Sequence, residues 1–109
     1  MTQARRLCPL EEIADGEAKA YRVEGFEHEV FIHREGEEVR AFLNSCPHRG
    51  TPLDWVPDRF IAPDREHFLC ATHGALFRME DGVCVAGPCF GDRLRPVAVT
   101  LEDGWIVLA

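Results

Sequence analysis

Two stretches decide how this chain is read: "NSCPHRGTPLDW", Asn44 to Trp55, and "LCATHGALF", Leu69 to Phe77. Each holds one cysteine and one histidine. The first spaces them C-x-H, at Cys46 and His48, and the second C-x-x-H, at Cys70 and His73. Between His48 and Cys70 lie 21 residues. Spacings this short let one loop present two donors to one centre, and Gly50 and Gly74 let backbone amides approach it closely.

Outside these loops the residues alternate as short strands do. Strand patterns cover Ala18 to Val23, His28 to Arg34, Glu38 to Leu43, Phe68 to Cys70, Ala75 to Met79, Val83 to Val85, Pro96 to Glu102 and Trp105 to Ala109. Turns are expected at Gly25, at Gly36 and at the two "EDG" sequences, Glu80 to Gly82 and Glu102 to Gly104. The fold class is therefore all-β, a small sandwich or barrel of antiparallel sheets. One helical turn is expected between Cys8 and Ala14, with Pro9 near its start. "DWVPDRFIAPDREH", Asp54 to His67, holds two prolines and no period and is expected as a loop.

With 109 residues the chain is expected to be one domain, 1–109, with a modest core. Apolar residues make up 46% and charged residues 28%, as in ordinary globular domains. A net charge of −7 argues against nucleic acid, whose phosphates ask for a basic surface. The same charge permits docking to a basic protein face, or serves solubility alone. No apolar run is long enough to span a membrane. Arg5 and Arg6 have no apolar segment behind them, so neither a secretory nor a twin-arginine signal is expected. The expected compartment is the cytoplasm, where five cysteines are ligands, apolar filler or redox groups sooner than disulfides.

Two cysteines and two histidines suit a tetrahedral structural zinc, or a [2Fe–2S] cluster with two thiolates on one iron and two imidazoles on the other. A catalytic pair needs only one of each. Common zinc patterns keep cysteines with cysteines and histidines with histidines. Here each loop mixes them, which favours a cluster gripped between two loops and keeps zinc as the second reading.

"CPHRGTPL" and "CATHGALF" resemble the two cluster-binding boxes of the Rieske [2Fe–2S] ferredoxin family. The segment from Gly82, with Gly87 and Pro88, resembles the family's tail, in which a Gly-Pro loop covers the cluster before two closing strands. The resemblance runs from about Ala18 to the C-terminus. It implies small antiparallel sheets with the cluster at one tip. Cys46 and Cys70 would bind the inner iron, and His48 and His73 the outer iron near solvent. Imidazoles in place of thiolates raise the potential to within roughly −150 to +300 mV. The respiratory members carry an extra cysteine in each box, joined as a disulfide, and hydroxyls that bond to sulfur. Here those positions are Thr51, Thr72, Ala75 and Phe77, which implies the low-potential, ferredoxin end of the range.

The implied function is a soluble electron carrier between a reductase and a terminal oxygenase or similar enzyme, with no catalysis and no small-molecule substrate of its own. Alternatives are a small subunit of a nitrite-reductase type of enzyme and a structural zinc or redox-sensing module. No His₂-carboxylate iron motif follows, so a complete oxygenase is not expected. The gap between the boxes is a few residues longer than is common in ferredoxin members. It is either a docking loop with Trp55 and Phe60 as anchors or a segment whose rings cover the domain's side. Cys8, Cys84 and Cys89 are expected as buried filler, with a Cys84–Cys89 disulfide disfavoured by the compartment. His28, His33 and His67 are expected to be surface or satisfied histidines. Arg49 either tunes the site or is solvated.

Overall fold

The alternating segments pair as antiparallel strands in a computed structural model that describes residues 5–47 and 50–109. Among the described residues ten strands form three sheets. The first runs β1 (Arg5–Pro9), β10 (Trp105–Leu108), β9 (Val99–Glu102). The second runs β2 (Ala18–Tyr21), β3 (Val30–Glu35), β4 (Glu38–Leu43), β8 (Pro96–Val97). The third runs β5 (His67–Cys70), β6 (Ala75–Arg78), β7 (Cys84–Ala86).

The second sheet is the middle layer. Successive side chains on a strand point to opposite faces, and β3 buries both. Val30 and Ile32, with Ala41 and Val97, pack on Cys8, Ile13 and Ile106. Phe31 and Phe42 face the other way, onto Phe60, Phe68, Phe77, Leu53 and Leu94. Phe31 stacks on Phe60 at 4.4 Å between ring centroids and meets the edge of Phe68 at 5.1 Å. The third sheet and the two Cys/His loops share this aromatic core.

The helical turn expected between Cys8 and Ala14 is present as a 3-10 turn at Leu10–Glu12, after Pro9, but two features differ from expectation. Arg5–Pro9 is a strand. That strand pairs with β10 from the other end of the chain, a partner no local pattern announces. The run Pro96 to Glu102 divides at Ala98: β8 pairs with β4, and β9 pairs with β10. The hairpin at Glu102 to Trp105 is as expected. Asp103 and Gly104 have φ of 52° and 80°, the two positive values a two-residue turn of this hand requires. Among the described residues no helix is long and apolar enough to cross a membrane.

Candidate metal centre

The first box leaves β4 at Leu43 and is shaped by hydrogen bonds across its base. Cys46 N donates to Thr51 O at 2.8 Å, and Gly50, at φ 75°, donates its N–H to Cys46 O at 2.6 Å. The Cys46 side chain is buried in the aromatic core. His48 and Arg49 lie outside the described residues.

The second box is the turn of the β5–β6 hairpin. Cys70 pairs with Ala75, and four residues close the turn, with Gly74 N donating to Cys70 O at 2.9 Å. Gly74 has φ 74°, and a Cβ there would meet nothing within 4 Å, so backbone conformation alone calls for glycine. Cys70 is buried in the same core as Cys46, while His73 is exposed at the turn.

The two boxes are joined directly. Ala71 N donates to Leu53 O at 2.9 Å, and Trp55 Nε1 donates to Thr72 Oγ1 at 3.2 Å. A third segment packs against the second box: at Gly87, a Cβ would lie 2.8 Å from Ala75 Cα. Next to it, Cys89 Sγ donates to Cys84 Sγ at 3.1 Å, and both lie in the same buried cluster as Cys46. Burial first, then the Cys84 and Cys46 sulfurs, push the Cys89 thiol pKa up. None of the five cysteines is in a disulfide, and Cys84 and Cys89 are both buried, as expected.

Three of the four expected ligands, Cys46, Cys70 and His73, thus lie in two loops tied together at one end of the aromatic core. Among the described residues no three His, Cys, Asp or Glu side chains converge on a point fit for one ion. The donor set suits a binuclear group with its soft sulfurs inside and its imidazole side toward water. On such a group thiolates and imidazoles sit on separate irons and need not converge.

The remaining histidines have local partners. His67 Nδ1 is 2.7 Å from Asp64 Oδ2, and His28 Nε2 is 3.9 Å from Glu27 Oε1. His33 is buried against Phe68 and Arg40. Of the two proposed anchors, Trp55 is 71% exposed but Phe60 is 0% exposed, stacked under Phe31. Phe60 is therefore core and not a docking anchor, whereas Phe90, which the sequence reading passed over, is 74% exposed. Asn44 was also missed. It is buried, and its side chain spans the first box by accepting from Leu53 N at 2.8 Å and donating to Asp54 Oδ1 at 2.9 Å. A lone asparagine ending an apolar strand is the only sequence signal for it.

A family profile described as the Rieske [2Fe-2S] domain matches residues 3–100. Among solved structures, the chain is similar to the ferredoxin of carbazole 1,9a-dioxygenase from Nocardioides aromaticivorans IC177. That match has 26% identity and a TM-score of 0.79, over 99% of this chain and 98% of that one. It is similar to the Sphingomonas yanoikuyae B1 ferredoxin at 27% identity and TM-score 0.78, over 97% of each chain. It also overlays 29% of the terminal oxygenase of carbazole 1,9a-dioxygenase from Novosphingobium sp. KA1, at 22% identity and TM-score 0.80, a likeness of fold. Comparison with curated proteins gives no match.

Proposed function

We infer, for a chain that belongs to the Rieske [2Fe–2S] domain family, that Cys46 and Cys70 hold one iron of its cluster as thiolates and His48 and His73 hold the other. The chain carries one [2Fe–2S] cluster and serves as an electron-transfer component of an oxidoreductase system, not as a catalyst. The cluster, when bound, accepts and releases single electrons. The protein's own part is to bury the two sulfurs in an apolar core, to exclude water from them, and to present His73 at the surface within reach of a partner. The observation that carries this assignment is the Ala71 N to Leu53 O hydrogen bond, which joins the two boxes with their cysteines inside and His73 outside.

The chain acts as one Rieske domain, 1–109, soluble in the cytoplasm. It passes electrons from a reductase to a terminal oxygenase or similar redox enzyme. Support comes from its likeness, over nearly its full length, to a ferredoxin of a dioxygenase. Its potential lies toward the low end of the Rieske range, because Ala75 and Phe77 offer no hydroxyl to the cluster sulfurs. The exposed ring of Trp55, which donates to Thr72 two residues after Cys70, supports reading the long loop as a docking element beside the electron exit.

Visible absorption and EPR spectra of the purified protein, before and after dithionite, test the reading. The expected result is a coloured protein whose reduced signal has the low average g of a mixed Cys/His cluster. A colourless, EPR-silent protein holding one zinc under anaerobic purification would replace it with a structural module.

A further inference from the structure

We propose that the groove beside the first box, between Phe26 and the pair Arg93 and Arg95, docks an acidic segment of the redox partner. The proposal rests on the reading of the chain as an electron carrier.

The groove has a cavity volume of about 510 Å³, and Leu43 and Pro47 bring it against the first box. An occupant therefore lies next to the loop that supplies two of the four assigned ligands. Phe26, Leu43 and Pro47 are half-buried and give the groove an apolar floor. Trp55, by contrast, borders the second box through Thr72.

Backbone hydrogen bonds hold the two arginines at the rim. Arg95 O accepts from Leu43 N at 2.9 Å, where β4 gives way to the first box. Leu94 N donates to Gly82 O at 2.9 Å, and Arg93 bridges to Val83. Leu94 is fully buried in the aromatic core, so the side chains before and after it turn outward, and both are exposed.

Charge selects the occupant. The chain has 19 acidic and 12 basic residues, and several arginines are neutralised within it. Arg40 meets Glu35 and Glu38, Arg65 meets Glu17, and Arg78 meets Asp81. Among the described residues the Arg93 and Arg95 side chains have no hydrogen bond or ion pair. Asp81 feels the Arg93 charge, but Arg78 engages both its oxygens, at 3.1 and 2.5 Å. Glu27 also lines the groove and lies 3.9 Å from His28 Nε2. Two guanidinium groups against one carboxylate leave the groove locally positive on a chain of net charge −7.

A guanidinium fork fits a carboxylate through two parallel hydrogen bonds, which is why arginine is favoured for ion pairs across interfaces. An apolar floor with a charged rim is the anatomy of an interface. An acidic segment carrying one apolar side chain satisfies both. The surrounding negative charge repels a long polyanion, so the occupant is a short stretch of protein and not nucleic acid. Net charge alone points to a basic partner face, and the groove reverses that sign at the point of contact.

The test is fluorescence anisotropy of a labelled pentapeptide, four glutamates around a central leucine, titrated with the cluster-loaded protein. Binding is expected to weaken as salt rises from about 0.01 to 0.15 M, over which the Debye length shrinks from roughly 30 to 8 Å. It is expected to weaken about tenfold in the double variant Arg93→Gln/Arg95→Gln. Arg22→Gln, at an exposed arginine outside the groove, is expected to leave it unchanged. Equal affinity of the double variant and the wild type overturns the proposal, as does no binding at low salt. Tighter binding of the same peptide with lysines in place of glutamates also overturns it. So does free glutarate binding as tightly as the peptide, since the groove would then hold a small anion. Visible and EPR spectra of the same samples separate the two readings. A loaded cluster without peptide binding removes the groove and keeps the carrier, whereas a protein that holds no cluster removes the carrier reading itself.

Discussion

Asn44 Nδ2 donates a 2.9 Å hydrogen bond to Asp54 Oδ1 from a side chain that is 2% exposed, bracketing the first box from beneath. Asp54 passes the connection on, accepting from Asp58 N through its second oxygen at 3.0 Å. Asp58 Oδ1 in turn accepts from Ala20 N of β2 at 2.9 Å. One polar chain thus ties the Cys46 loop, the long loop and the middle sheet together. Asn44→Ala leaves Leu53 N–H without its partner and is expected to cost about 1–3 kcal/mol. Asn44→Asp keeps an acceptor for Leu53 but sets a second carboxylate against Asp54, and is expected to be no better. Urea unfolding of both variants checks this, and a wild-type midpoint in Asn44→Ala would show the bracket to be dispensable.

The ligand assignment makes a sharper demand. Cys46→Ser and Cys70→Ser are each expected to abolish the cluster's colour. His73→Cys is expected to load a cluster whose potential is lower, since an anionic thiolate replaces a neutral imidazole. An unchanged potential in loaded His73→Cys removes His73 from the ligand set.

Gly87 and Gly91 separate crowding from backbone strain. Both have positive φ, 102° and 93°, but only Gly87 faces a neighbour, with Ala75 Cα 2.8 Å from a built Cβ. Alanine at either position bears a conformational cost on the order of 1–3 kcal/mol. Gly87→Ala must also push the turn off the second box. Thermal unfolding is expected to show Gly87→Ala as the less stable, and its cluster is expected to be lost faster on storage in air. Equal behaviour of the two would mean the close approach is not needed.

His33 sets a pH limit. Burial foremost, then the Arg40 guanidinium, lower its pKa from the ordinary 6.5. Arginine only donates, so the 3.4 Å approach of Arg40 Nη1 makes Nδ1 the acceptor and leaves the ring proton on Nε2. Above pH 6.5 the folded and unfolded chains are both neutral here. As pH falls below that value, the unfolded chain binds a proton that the folded chain resists, and stability declines toward the lowered folded pKa. The urea midpoint is expected to fall across that window in the wild type and to flatten in His33→Gln. A decline of equal slope in the variant would assign it to another group.

Trp55 offers the docking test. Exposed at 71%, it supports little core, so Trp55→Ala is expected to shift stability by only about 0.5 kcal/mol. If the ring anchors a partner, its loss is expected to raise the apparent KM for this protein in reductase-driven electron transfer by about tenfold, roughly 1.4 kcal/mol. A wild-type KM would leave the loop as a cover for the domain's side.

Much of this was legible in order along the chain. The short periods of Val30–Glu35 and Glu38–Leu43, the Asp-Gly turn at Asp103 and Gly104, and the paired spacings of Cys46, His48, Cys70 and His73 are local patterns, and local chemistry dictates them. The strand at Arg5–Pro9 and the break at Ala98 were not legible, because each depends on which distant strand supplies the hydrogen bonds.

The sequence by itself determined an antiparallel fold of small sheets, two mixed Cys/His loops and, through those loops, the kind of group they can hold. Only the tertiary structure decided that Phe60 is core while Trp55 and Phe90 face water, that Asn44 braces the first box, and that Cys89 packs on Cys84 in the same core as Cys46. The physical reason is that spacing fixes which donors one loop can offer. Burial, and the partner available to each buried polar atom, arise only when segments far apart in the chain close over the same core.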